Sequence, residues 1–184
     1  MKNFLREFLV EIIFIVVFVV VWFTAIQTVE VFQTSMEPNF HEGERVIVFK
    51  AAYWSWVGHP QRGDVVILKA PNESDGDYIK RVIGLPGDTV EIIQGTVNVN
   101  GVKLNEPYVK RSFTYSLAKT VVPEGTYFVL GDNRDISNDS HLFGPLPAKN
   151  IIARVFVIYW PPQDWQWVPK YPLGKQIAAA NPSS

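Results

Sequence analysis

The apolar positions of this chain fall into two regimes. From about Phe8 to Ile26 they run together, apolar on every side of a helix, with Glu11 as the one charge. At about 19 residues the run is close to the ~20 needed to cross a bilayer core of ~30 Å. A buried core helix is rarely apolar all round for this length. A cleavable signal sequence has an apolar core of only ~7–15 residues and a small-x-small exit, and Thr24-Ala25-Ile26 is a poor one. The pattern therefore predicts an uncleaved transmembrane anchor over residues 8–27. Glu11, one turn inside, snorkels toward the headgroups or faces a partner helix.

From Thr28 onward the apolar runs are short and separated by Gly, Pro, Asn and Asp. The spacing predicts strands at Val29–Phe32, Arg45–Phe49, Asp64–Lys69, Tyr78–Ile83, Thr89–Ile93, Thr96–Val99, Val102–Leu104, Thr126–Leu130 and Ile151–Tyr159. Gln94-Gly95 and Asn100-Gly101 read as tight hairpin turns. No long helical period and no repeat interrupts this half. The fold expected for residues 28–170 is a mostly β domain built on antiparallel sheet, and residues 171–184, small and polar, are expected to be a disordered tail. Two stretches concentrate tryptophan, Tyr53-Trp54-Ser55-Trp56 and Tyr159 to Trp167. They are read either as core and edge aromatics or as residues that rest the domain on lipid headgroups.

Charge adds a direction. Lys2 and Arg6 precede the apolar run, and no Lys or Arg follows it until Arg45. By the positive-inside rule residues 1–7 lie in the cytoplasm and residues 28–170 outside it, at a plasma or thylakoid membrane. Ile151 to Trp160 is too short, and carries Arg154, to be a second span. The net charge of −1, without a basic block, excludes a nucleic-acid partner of the usual phosphate-binding kind. The absence of cysteine excludes disulfides, thiol catalysis and thiolate metal sites. His41, His59 and His141 are isolated, so no metal site is expected, and no glycine-rich phosphate loop implies a cofactor.

Three stretches hold candidate chemistry. In Gln33-Thr34-Ser35-Met36-Glu37-Pro38 a hydroxyl lies about nine residues past the apolar run, at most ~30 Å from the bilayer. A serine is a poor nucleophile until a base takes its proton. No nucleophile elbow or local histidine triad is present, but a lysine desolvated enough to lose its charge near pH 7–8 serves the same end. Lys80, in the strand Tyr78-Ile79-Lys80-Arg81-Val82-Ile83, is the best placed; a solvent-facing strand lysine is the plainer alternative. The third stretch, Gly131 to His141, is dense in turn residues, with acids, one arginine and two serines able to hold an amine.

Taken together, these stretches and Arg62-Gly63-Asp64-Val65-Val66 resemble, in order, the motif blocks of the type I (leader) signal peptidases. The third block runs from Tyr78 through Gly84-Leu85-Pro86-Gly87-Asp88, and the fourth from Gly131-Asp132-Asn133-Arg134 through Ser137, Asp139 and Ser140 to Gly144. The likeness covers Val29 to Trp160 and the preceding anchor. These are membrane-bound serine endopeptidases that use a Ser–Lys dyad. The resemblance implies Ser35 as nucleophile and Lys80 as general base, with Ser137 hydrogen-bonded to the lysine amine. It implies an Arg81–Asp132 ion pair, Asp139 as buttress of the loop, and the Ser35 N–H as oxyanion donor. It implies no cofactor. Preprotein signal peptides are the implied substrates, with the lipid bilayer and the protein export machinery as partners. An extended substrate would add a strand along the cleft, its small side chains in shallow pockets. Phe32, Met36 and Pro38 near the serine, and Ile79 and Val82 on the lysine strand, are the candidate walls.

Three places depart from the family pattern. Gln33 replaces the usual Ser, Thr or Gly, so a second oxyanion donor would be its amide. Asn39-Phe40 stands for Thr-Leu and is expected to reshape the groove. His141 stands where arginine is common, which makes its pairing with Asp139 sensitive to pH. Two other functions stay open: a catalytically impaired, membrane-tethered β module that only binds, and a Ser–Lys protease acting on a non-secretory target.

Overall fold

The computed structural model describes residues 2–53, 57–71 and 76–180. A single long helix, α1 (Lys2–Ala25), carries the apolar run, and the segment Arg6–Ala25 is long and apolar enough to cross a membrane. The helix ends at Ala25 and the chain passes directly into strand β1 (Ile26–Glu30), so the strand starts inside the interval expected for the anchor. It also precedes the strand read from the sequence at Val29–Phe32. The reason is pairing: each residue from Ile26 to Glu30 is matched to one from Phe49 back to Arg45. That partner removes the need for an alternating pattern in β1 itself.

The next strands are β2 (Arg45–Phe49), β3 (Val65–Lys69) and β4 (Asp77–Gly84). A second group follows, β5 (Thr89–Ile93), β6 (Thr96–Val99), β7 (Val102–Lys103) and β8 (Leu117–Val121). The chain then forms β9 (Thr126–Leu130), a one-turn helix α2 (Ser140–Phe143), β10 (Leu146–Pro147), β11 (Ile151–Trp160) and β12 (Gln166–Trp167). All pairings are antiparallel. The larger sheet has the order β1-β2-β11-β3-β4-β9-β10, with β12 against β11, and the smaller one the order β7-β6-β5-β8. Both turns of the smaller sheet have positive φ at their centres, Gln94 with Gly95 and Asn100 with Gly101, the conformation that suits a two-residue hairpin.

Strand β4 is central and buried from Tyr78 to Gly84, covered on both faces. That is why its sequence shows no alternation: Ile79 and Ile83 pack into two separate apolar clusters, while Tyr78 and Val82 pack into a third. Lys80 and Arg81 are therefore enclosed too, and the solvent-facing reading of Lys80 does not hold.

Two elements differ from expectation. Strand β8 was not legible, because as an edge strand of the small sheet it has no buried residue. The expected disordered tail instead contains helix α3 (Leu173–Ala180), held by Leu173 and Ile177, which sit one turn apart and pack among Ile83, Val99, Phe128 and Leu130. Of the two tryptophan stretches, Trp54 and Trp56 lie outside the described residues, and Trp160, Trp165 and Trp167 are exposed rather than core.

Candidate active site

After β1 the chain makes a turn in which Ser35 and Met36 become buried. The turn closes on its own backbone, Glu37 N–H donating to Thr34 O and Phe40 N–H to Met36 O, at 3.1 Å each. Phe40 and Met36 anchor it in the apolar cluster beneath. Opposite stands Lys80, 1 % exposed, whose Nζ lies 2.8 Å from Ser35 Oγ and 3.1 Å from the carbonyl oxygen of Ile79. The amine also sits 4.8 Å from the centre of the Tyr78 ring. Burial pulls the lysine down from 10.5 to about 8, while the carboxylates of Asp139 and Asp132 pull the other way. The amine is thus half uncharged at about pH 8, where an ordinary lysine is almost wholly protonated. Among the described residues, the Ser35 N–H donates to no backbone carbonyl.

The loop after β9 packs behind Ser35. Asn133 N–H donates to Ser35 O at 3.0 Å and its side-chain amide to Thr34 O at 3.2 Å. Asp132 accepts two bonds from Arg81, at 2.9 and 2.7 Å, and one from the Asn39 side chain at 2.9 Å. The Arg81 guanidinium lies 4.2 Å from the Tyr108 ring centre, so this fully buried pair is enclosed on its flat face as well. Asp139, also fully buried, takes the Gly131 N–H at 2.8 Å, caps α2 through His141 N–H, and meets His141 Nδ1 at 2.7 Å. Arg134 completes the loop, donating to Gly131 O and to both oxygens of Glu106.

Two hollows open beside Ser35. One, of about 190 Å³, runs between the segment Val29–Gln33 and the start of β4, with Ile67, Tyr78 and Ile79 in its floor and walls. The other, of about 430 Å³, shares Phe32, Gln33 and Tyr78 with it and is bounded by Thr34, Ser35, Ile136 and Asn138. Together they form a cleft that leads along an extended path to the serine.

The sequence pattern of the family described as signal peptidase, peptidase S26, matches residues 5–160. The chain belongs to that family. It is 42% identical over 134 residues to a probable signal peptidase I-2 of Synechocystis, covering 70% of this chain and 60% of the relative. It is 40% identical over 139 residues to thylakoidal processing peptidase 1 of Arabidopsis thaliana, covering 70% of this chain and 40% of the relative. The chain thus spans less than two thirds of either relative. A solved signal peptidase I from Enterococcus faecalis is 36% identical, covers 53% of this chain and 97% of its own, and superposes with a TM-score of 0.46.

Within this S26 chain the residues singled out from the sequence do not all reach the same place. Ser35, Lys80, Arg81, Asp132 and Asp139 form one connected network, and Gln33, Phe32 and Ile79 line the cleft. Ser137 makes no hydrogen bond to the amine: its buried Oγ has no partner among the described residues, and the amine's contacts go to Ser35 and Ile79. Val82 is no cleft wall, since it packs with Val66, Val129 and Leu146 in the sheet interior. Met36 is core, and Pro38 is exposed on the turn away from both hollows. Asn39 and Phe40 brace the site rather than shape the groove, the first through Asp132, the second through apolar packing. Sequence reasoning gave no role to Asn133, Glu106 or Tyr108, and read Arg134 only as one of the groups able to hold an amine, whereas it binds Glu106. Asn133 and Arg134 were signalled by the motif block Gly131-Asp132-Asn133-Arg134, while Glu106 and Tyr108 lie in an irregular segment that carries no motif.

Proposed function

We propose that this chain is a membrane-anchored serine endopeptidase that removes signal peptides from exported preproteins. It cuts after small residues through a Ser35–Lys80 dyad and an acyl-enzyme. The observation that carries this reading is the 2.8 Å contact between Lys80 Nζ and Ser35 Oγ in a buried setting that depresses the amine. In the neutral amine the same contact runs in reverse, the hydroxyl donating to the nitrogen lone pair.

Lys80 takes the Ser35 proton as Oγ bonds to the carbonyl carbon of the small residue itself. The oxyanion is met by the Ser35 N–H and by the Gln33 amide. Collapse breaks the C–N bond, and the Lys80 ammonium gives its proton to the departing amine. Water, deprotonated by the now neutral Lys80, then attacks the ester and frees the serine. The Arg81–Asp132 pair and Asp139 position the strand and the loop between which this happens. Phe32, Ile79 and Tyr78 contact the extended substrate on either side.

The helix α1 crosses the membrane with the N-terminus in the cytoplasm and the β domain outside. There it meets signal peptides whose apolar segments are still in the bilayer, as they leave the export machinery. Holding both partners on one surface raises their effective concentration. The test is cleavage of a preprotein with an Ala-x-Ala site by detergent-solubilised wild type, Ser35→Ala and Lys80→Ala. Wild type is expected to release a mature chain starting directly after the small residue, and both variants to leave the preprotein whole. An intact preprotein with wild type argues for a binding module, and cleavage only within this chain or a soluble protein argues for another target.

A further inference from the structure

Away from the cleft, a cavity of about 670 Å³ opens beside β11 where its pairing with β3 ends at Arg154 and that with β12 begins at Val157, between the chain leading into β3 and the segment after β12. Arg62, Asp64, Arg154, Phe156, Trp167 and Lys170 contribute to its lining. Three of these are basic and one is acidic. Arg154 meets Asp64 at 3.0 Å and Arg62 meets Asp88 at 2.8 Å, whereas Lys170 is exposed and in no ion pair among the described residues. The Arg62 side chain is 8 % exposed, yet its Nε has no acceptor among the described groups. A buried guanidinium donor left unpaired is costly and favours an oxygen-rich anion.

The strand register fixes where this cavity lies. Arg154 pairs with Phe49, and Phe49 with Ile26, the first residue after α1. Trp167 pairs with Val157, which pairs with Ile47, which pairs with Thr28. Arg154 and Trp167 are therefore level with the first three residues beyond the apolar helix. Trp167 is 63 % exposed there and meets Trp165 edge-on at 5.7 Å. Tryptophan beside arginine at headgroup depth suits a lipid, not a diffusing solute.

We propose that this cavity binds the phosphate headgroup of an anionic phospholipid. Arg154 and Lys170 face the phosphate and Trp167 covers the glycerol end. The site holds the β domain against the bilayer at a point separate from the cleft, and it stands whether or not the chain is a peptidase.

The test is native mass spectrometry of the full chain released from nanodiscs of equal phosphatidylglycerol and phosphatidylcholine. Wild type is expected to retain phosphatidylglycerol in preference, by ~tenfold overall, because phosphatidylcholine carries the same phosphate with a choline cation that the basic lining disfavours. Arg154→Gln and Lys170→Gln should each lose most of that preference, and Lys119→Gln on the small sheet should keep it. Arg154→Gln also unpairs Asp64, so if it fails to fold the exposed Lys170→Gln decides. Equal retention of both lipids by wild type overturns the proposal. So does a preference that survives Lys170→Gln, which would place the lipid against α1. A detergent-solubilised chain that binds inorganic phosphate at this site, without preference between the lipids, overturns the headgroup as the ligand.

Discussion

Ile26 and Lys80 lie on one row of the large sheet: Ile26 pairs with Phe49, Phe49 with Arg154, Arg154 with Val66, and Val66 with Lys80. Four strand spacings of ~4.8 Å separate them, roughly 19 Å along the row. Lys80 is thus no further out along the strand direction than the end of the helix. Ser35 reaches it because the chain runs outward along β1 and then folds back through the turn. Inserting a flexible six-residue Gly-Ser spacer between Ala25 and Ile26 should uncouple this height from the bilayer. The expected result is a several-fold fall in kcat/KM for a preprotein held in the membrane, from lowered effective concentration, with a short soluble peptide cut at the unaltered rate. An equal loss on both substrates would mean that the spacer damages the site itself.

The buried amine makes activity a function of pH. Below about 8 Lys80 is mostly protonated and cannot accept the Ser35 proton; above it the free base dominates. Log kcat/KM should rise with unit slope through neutrality and level off above about 8. A profile that stays flat to pH 5 would exclude a lysine base.

The same burial has a stability cost with a definite sign. The folded value near 8 is below the ordinary 10.5, so below pH 8 the folded state carries the full cost of a desolvated ammonium. The unfolded chain alone stays protonated between 8 and 10.5, so wild-type stability rises with pH in that window. Replacing Lys80 by Met removes the charge and keeps the bulk. The variant should be inactive yet more stable at pH 7 by ~1–3 kcal/mol, the gain shrinking as pH passes through the window. Thermal unfolding in detergent at pH 7 and pH 10 measures it.

What the sequence made legible follows from how each element is stabilised. The apolar run announced α1, because a helix that meets no protein on any side must be apolar on all of them. Strands with a partner on each face, such as β3, showed as continuous apolar runs. Lys80 by itself was ambiguous, since a solvent-facing strand lysine fits the same pattern; its pairing with Ser35 was expected from the resemblance of the motif blocks, and its burial comes from the packing on both faces of β4. Other features depend on tertiary context and left no local trace. Strand β8 has no buried residue, and α3 holds on by two apolar side chains in a stretch otherwise small or polar. The face that Val82 presents, and the side to which Ser137 turns, are set by the curl of the sheet and the packing of the loop on Gly131.

Gln33 separates two ways of holding the oxyanion. It lines the hollow beside Ser35, and the Ser35 N–H has no protein acceptor among the described residues, so one donor is already present. If the Gln33 amide is the second, Gln33→Ala should lower kcat by ~10²-fold or more with KM little changed, because the interaction exists only once charge develops. A Gln33→Ser variant that recovers part of the loss would assign it to a missing donor. A change confined to KM would make Gln33 a substrate contact instead.

Gly131 joins the loop to the nucleophile by absence of a side chain. A Cβ there would lie 2.2 Å from Ser137 Oγ and 2.5 Å from the Ser35 carbonyl oxygen, the atom that accepts the Asn133 N–H. Neither neighbour can retreat easily, since one is backbone of the nucleophile and the other is enclosed. Gly131→Ala should therefore push Ser35 away from Lys80. Displacement on the ångström scale costs ~10²-fold in turnover, and overpacking of this kind a further ~1–3 kcal/mol of stability. Gly174, in α3, supplies the comparison: nothing lies within 4 Å of its added Cβ, so Gly174→Ala should leave activity intact and stability equal or higher. Kinetics and unfolding of the two variants side by side test the point. If Gly131→Ala keeps wild-type kcat, the contact between the loop and the Ser35 carbonyl does not set the position of the nucleophile.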